Sequence, residues 1–257
     1  MLNYQEQGTG DETILFVHGL LFNHRMFDAQ VEALKSNYRC IAFDLRGQGD
    51  SEVTRNGYDI DNLTRDTVAL IEALDCGPCH FVGLSMGGFI GLRLAINHPQ
   101  MLHSLSLLDT SADPEPAENI FRYRMMALIG RIFGFWPLMG QLLPIMFGKD
   151  TLEDEASRET LEYWKRQLRN NNRVGSSRAA MGVIGREGVY RQLGQIKTPT
   201  LVIVGEQDVA TTKDKSERMH QAISHSEMLV ISSAGHSSSV EKPAEVTQAL
   251  QKFISNH

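Results

Sequence analysis

The sequence predicts an α/β protein: a mostly parallel sheet flanked by helices, with a block of helices inserted into it. Three observations carry that prediction. Short runs rich in Val, Ile, Leu and Phe alternate with longer stretches of helical pattern, as in chains whose strands are joined by crossover helices. The alternation stops between Asp113 and Tyr190, where the chain reads as several helices rich in Met, Phe and Trp. It resumes at Thr200 and runs on to the C-terminus. The expected division is a core of residues 1–112 and 191–257 with a helical cap at 113–190.

The elements follow in order. The first expected strand, Thr13–Val17, has no charged residue, as suits a strand buried on both faces. A helix at Met26–Leu34 leads to strand Cys40–Phe43, and a helix at Leu63–Leu74 to strand His80–Gly83. Helix Gly87–Asn97 is closed by Pro99, whose ring lacks an N–H to continue the ladder. Leu105–Leu108 is the next strand. Inside the cap, Pro114, Pro116, Pro137 and Pro144 are expected to break the helices. After Pro199 come strand Thr200–Val204, helix Asp214–Ala222 and strand Met228–Ile231; after Pro243 comes helix Ala244–Ile254.

Composition removes several classes of function. A chain of 257 residues buries enough surface to need no disulfide or metal staple. Its net charge of −6 offers no general attraction to phosphate backbones or anionic lipid, so neither nucleic acid nor a membrane is an expected partner. Met1–Glu6 has no basic stretch leading into an apolar one, and the apolar run Ile14–Phe22 is broken by His18 and Gly19 and too short to span a bilayer. Three cysteines, an odd number, form no disulfide framework and fit a reducing, cytoplasmic compartment. Cys76-Gly-Pro-Cys79 spells a redox motif, but it follows a helix and enters a strand, so no helix N-terminus is there to stabilise a thiolate. A turn with two inert thiols is the expectation, and no cofactor or metal ligand set is read from the sequence.

The chemistry concentrates in Gly83-Leu84-Ser85-Met86-Gly87-Gly88, which follows an expected strand and opens an expected helix. In that context G-x-S-x-G reads as a tight turn that holds the serine hydroxyl clear of the sheet. A serine hydroxyl needs a base within reach. His236, just after the last strand, is the best placed of nine histidines. The histidine in turn needs an acid to orient it. Asp208, after strand Thr200–Val204, is the choice; Asp109 is the rival, and Glu206 is a third carboxylate nearby. Two backbone donors for an oxyanion are expected at Met86 N–H and at Leu20 N–H, in the loop His18-Gly19-Leu20-Leu21. His18 is expected to brace that loop.

Taken together, these segments resemble the α/β-hydrolase superfamily. The resemblance rests on Phe16-Val17-His18-Gly19, Asp44 to Ser51, Gly83 to Gly88, Gly205 to Asp208 and Gly235-His236, in that order. It implies an α/β-hydrolase fold, a Ser85–Asp208–His236 catalytic set, and a serine hydrolase without cofactor acting on a small-molecule ester or lactone. Ser85-Met-Gly-Gly-Phe89, Asn97-His-Pro99, Leu107-Leu-Asp-Thr110 and Gly235-His236 with Val240-Glu-Lys-Pro243 are most similar to the 3-oxoadipate enol-lactonase-like esterases and lactonases. Haloalkane dehalogenases and epoxide hydrolases carry an aspartate where this chain has Ser85. Two alternatives stay open: a hydrolase of carbon–carbon bonds in ring-cleavage products, and a non-catalytic receptor for a small ligand. A homodimer is also left open.

The cap is the expected seat of substrate choice. It holds nine of the 19 aromatic residues and nine of the 17 arginines. Aromatics and methionines suit an apolar pocket, although many must serve the cap's own packing. An arginine there could bind a substrate carboxylate in a fork, while the cap's ten acidic residues offer those arginines other partners.

Overall fold

The computed structural model describes residues 1–257. From the N-terminus the elements are β1 (Tyr4–Gln7), β2 (Thr13–Val17), α1 (Asp28–Leu34), β3 (Arg39–Phe43), α2 (Ile60–Ala73), β4 (Cys79–Leu84), α3 (Met86–Asn97) and β5 (Leu102–Leu108). Five helices follow without a strand: α4 (Ala117–Phe133), α5 (Met139–Met146), α6 (Lys149–Glu153), α7 (Arg158–Asn170) and α8 (Arg173–Ile184). The chain then returns through β6 (Thr200–Gly205), α9 (Lys213–Ala222), β7 (Ser226–Ile231), α10 (Ser238–Glu241) and α11 (Pro243–Ile254).

The strands form one sheet in the order β1-β3-β2-β4-β5-β6-β7, parallel throughout except for the antiparallel pair of β1 with β3. Side-chain alternation along β2 shows how the layers are made. Ile14 and Phe16 join a cluster that includes Val31 and Leu34 of α1 and Leu250 and Phe253 of α11. Leu15 and Val17 join the opposite cluster, with Leu63 of α2, Ile90 of α3 and Met219 of α9. Each such fully buried chain contributes about 1.5–3 kcal/mol relative to exposure. The first cluster runs on into the inserted helices: Phe22, just beyond β2, packs edge-on against Trp164 of α7 at 4.8 Å between ring centroids.

Two features differ from expectation. β1 is absent from the sequence reading because Tyr-Gln-Glu-Gln carries no apolar alternation; it is an exposed edge strand held by its register with β3, Tyr4 opposite Phe43. Pro144 was expected to break a helix but lies inside α5. The N–H it lacks would have bonded Gly140 carbonyl, which is on an exposed turn that water can serve. Cys76 lies in the turn before β4 and Cys79 begins β4; both are buried, and burial pushes their thiols up in pKa. No helix is long and apolar enough to cross a membrane.

Candidate active site

β4 and α3 meet at Ser85, and the packing there dictates which residues fit. Ser85 is held at φ 53°, a region L-residues rarely adopt, with its N–H donated to Leu108 carbonyl at 2.9 Å. Thr110 Oγ1 donates to Ser85 carbonyl at 2.8 Å, so both backbone groups of the strained residue are fixed from β5 and its exit. The helix lies so close to the sheet that a Cβ on Gly83 would sit 2.5 Å from Gly87 carbonyl carbon, and one on Gly87 2.1 Å from Val17 carbonyl oxygen. The glycines are therefore demanded by backbone approach.

Side chains from two loops, after β6 and after β7, converge on that turn. His236 Nε2 lies 2.9 Å from Ser85 Oγ, and His236 Nδ1 lies 2.9 Å from Asp208 Oδ2. With Nδ1 donating to the carboxylate, Nε2 is left as acceptor for the serine hydroxyl. Asp208 is itself held: Oδ1 accepts from Ala210 N at 2.8 Å and Thr211 N at 2.9 Å, and Oδ2 accepts from Thr211 Oγ1 at 2.8 Å. Burial opposes the Asp208 charge, but His236 and the Thr211 donors outweigh it and lower the carboxyl's pKa. Burial likewise opposes an imidazolium at His236, yet the Asp208 carboxylate facing it, and Asp109 beyond, raise its pKa.

Asp109 sits in a different network. Its Oδ1 accepts from Gly205 N at 2.8 Å, and its Oδ2 from Ser238 N at 3.0 Å and Ser238 Oγ at 2.6 Å. It thereby joins the end of β5 to β6 and to α10. Full burial and the neighbouring Asp208 charge push its carboxyl up to about 7. Glu206 is exposed and accepts from Ser233 N at 3.2 Å. Of the three carboxylates, only Asp208 bonds the histidine.

The turn that carries Leu20 lies against Ser85: a Cβ on Gly19 would sit 3.4 Å from Ser85 Cβ. Met86 is the first residue of α3, so its N–H has no partner within the helix. In the turn after β2, Gly19 N–H points to Met26 Sδ, Leu21 N–H donates to Gln48 Oε1 and Phe22 N–H to Gly19 carbonyl; Leu20 N–H donates to no protein acceptor. His18 braces this turn, accepting Leu45 N–H at Nε2 (2.9 Å) and bonding Gly19 carbonyl through Nδ1 (2.7 Å).

Above Ser85 lies a cavity of about 150 Å³ whose walls are mostly apolar, among them Leu84 and Phe89 from the sheet side and Met126, Leu142 and Ile184 from the inserted helices. Its charged wall residues are His236, Glu115 and Arg186. No group of three or more His, Cys, Asp or Glu side chains is arranged to hold a metal ion.

The sequence reading missed two supporting residues. Thr211 fixes Asp208 as described, and only its place three residues after the acid could have marked it. Glu241, half-buried in α10, accepts Gly235 N at 2.9 Å and Ser237 N at 3.1 Å with one oxygen. With the other it accepts Gly148 N at 2.7 Å and Thr151 Oγ1 at 2.6 Å. It thus ties both sides of His236 to the inserted helices.

Comparison with known proteins gives a consistent picture. The chain is 30% identical to 3-oxoadipate enol-lactonase 2 of Acinetobacter baylyi over 98% of its own length and 92% of that protein. Among solved structures it superposes on a thermophilic esterase from Thermogutta terrifontis with a TM-score of 0.93 and 30% identity, covering 99% of this chain and 93% of the other. It superposes on the enol-lactonase from Burkholderia xenovorans with a TM-score of 0.92 and 27% identity, covering 99% and 96%. The family described as alpha/beta hydrolase fold matches residues 12–243, a span that takes in every strand from β2 onward. The chain belongs to the alpha/beta hydrolase fold family.

Proposed function

We propose that the protein is a serine hydrolase of carboxylic esters or lactones with small to medium acyl groups. The observation that carries this reading is the unbroken chain from Ser85 Oγ through His236 to Asp208, 2.9 Å at each link, at the floor of an apolar cavity.

On this reading His236 Nε2 takes the Ser85 proton as Oγ attacks the ester carbonyl carbon. The oxyanion that forms is held by the N–H groups of Met86 and Leu20, the first reinforced by the N-terminus of α3. His236 then gives its proton to the leaving oxygen, leaving an acyl-enzyme on Ser85. Water, deprotonated by the same histidine, attacks the acyl carbon and restores the serine. Asp208 stabilises the imidazolium in both steps and keeps its Nδ1–H in place.

The likeness to an esterase and to enol-lactonases supports the reaction class. The test is hydrolysis of a chromogenic short-chain ester. Ser85→Ala should lower kcat by at least about 10³-fold with an unchanged melting temperature, and should lose labelling by a fluorophosphonate. Turnover or labelling retained in that variant overturns the assignment.

A further inference from the structure

The cavity above Ser85 contains one cation besides the histidine, and it is already neutralised. The Arg186 side chain is 3% exposed and pairs with Glu115, itself 10% exposed, at 2.9 Å. Arg186 Nη1 also donates to Val183 carbonyl at 2.8 Å, and Nε to Asp113 carbonyl at 3.2 Å. Asn119 Nδ2 donates to the other Glu115 oxygen at 3.1 Å. The guanidinium lies over the Phe89 ring, 4.3 Å from its centroid, and Phe89 is one helical turn along α3 from Ser85. Every group of this arrangement is thus placed except one: Arg186 Nη2 has two N–H donors and no hydrogen-bond partner in the protein.

A buried ion pair in an apolar wall is costly, and Nη2, which keeps some accessible surface, leaves a donor for whatever fills the cavity that Arg186 lines. A bound molecule can meet that donor by supplying an oxygen. The charge balance says which kind. A carboxylate set against Arg186 would share its cation with Glu115, leaving a net negative charge where the walls are apolar. A ketone, ether or hydroxyl oxygen satisfies Nη2 and leaves the pair neutral. We propose that Arg186 is a specificity-determining residue, and that the substrate is an uncharged ester or lactone carrying a second, neutral oxygen acceptor that meets Arg186 Nη2. The proposal rests on the hydrolase reading above. It also sets this chain apart from any enzyme whose substrate presents a free carboxylate to the cavity.

The test compares matched esters that differ at one position, in the acyl chain or in the alcohol chain: a methylene, a ketone at the same carbon, or a terminal carboxylate. In at least one of the two series the oxo ester should exceed its methylene analogue about tenfold in kcat/KM, the gain of a hydrogen bond to a charged group. The carboxylate ester should be poorest. Glu115→Gln keeps an oxygen for Arg186 but removes the compensating charge, so it should raise kcat/KM for the carboxylate ester about tenfold relative to the methylene ester. A merely structural Glu115 would move all three esters together. Equal rates for oxo and methylene esters in both series, a wild-type preference for the carboxylate, or an unchanged ratio in Glu115→Gln each overturn the proposal. Hydrolysis surviving in Ser85→Ala would instead overturn the hydrolase reading itself.

Discussion

The turn that carries Ser85 and the helices that enclose it from above are built by different means. At the turn, conformation is set by backbone: Ser85 N–H and carbonyl are both bonded, and Gly83 and Gly87 stand where any larger residue would strike main chain. In the inserted helices, the cavity wall is made by side-chain volume, with Met126 and Leu142 one choice among several that would fill similar space. The first region tolerates few sequences and the second many. Reaction chemistry needs atoms fixed to fractions of an ångström, whereas a pocket for an acyl group needs shape and polarity.

That contrast can be broken at its strongest point by comparing two carboxylates about as deeply buried. Asp208→Asn should cost about 10⁴-fold in kcat/KM, because an amide cannot hold His236 in the needed tautomer. Asp109→Asn, which touches no atom of the histidine, should stay within about tenfold. A reversed order would make Asp109 the acid. A smaller effect, read as stability, comes from Gly87→Ala, which drives a methyl into Val17 carbonyl and should destabilise by about 3 kcal/mol or more, measured by denaturant unfolding. An unchanged midpoint would show that the turn can shift after all.

The smallest expected effect is a displacement of the pH profile. Only a neutral imidazole can take the serine proton, so kcat/KM should fall as pH drops through the His236 pKa, which lies above its ordinary value near 6.5. Asp109 contributes to that elevation, so Asp109→Asn should move the acid limb to lower pH. A limb that stays in place, or moves upward, would show that Asp109 does not act on the histidine.

Legibility in the sequence divides along the same line. The strands from Thr13 onward and the turn at Ser85 could be read because apolar runs and forced glycines leave marks in the residue types themselves. β1 could not, since an edge strand exposed on both faces needs no apolar pattern. Asp208 and Asp109 both follow parallel strands, so residue type alone left them as rivals; their different hydrogen-bond partners separate them. Arg186 and Glu115 were two among many charged residues of the inserted segment. Their partnership, 71 residues apart, exists only once α4 and α8 have packed.

Ser85 and His236 are 151 residues apart, and the segment between them includes β5, all the inserted helices and β6. The Ser85–His236 bond is thus a contact of large sequence separation, the kind that raises a topology's contact order. Until the residues around Gly235 have folded into place, Ser85 has no base within hydrogen-bond reach. Under the proposed mechanism, hydrolysis requires that this long-range contact be made, so activity also reports that both ends of the site have folded together.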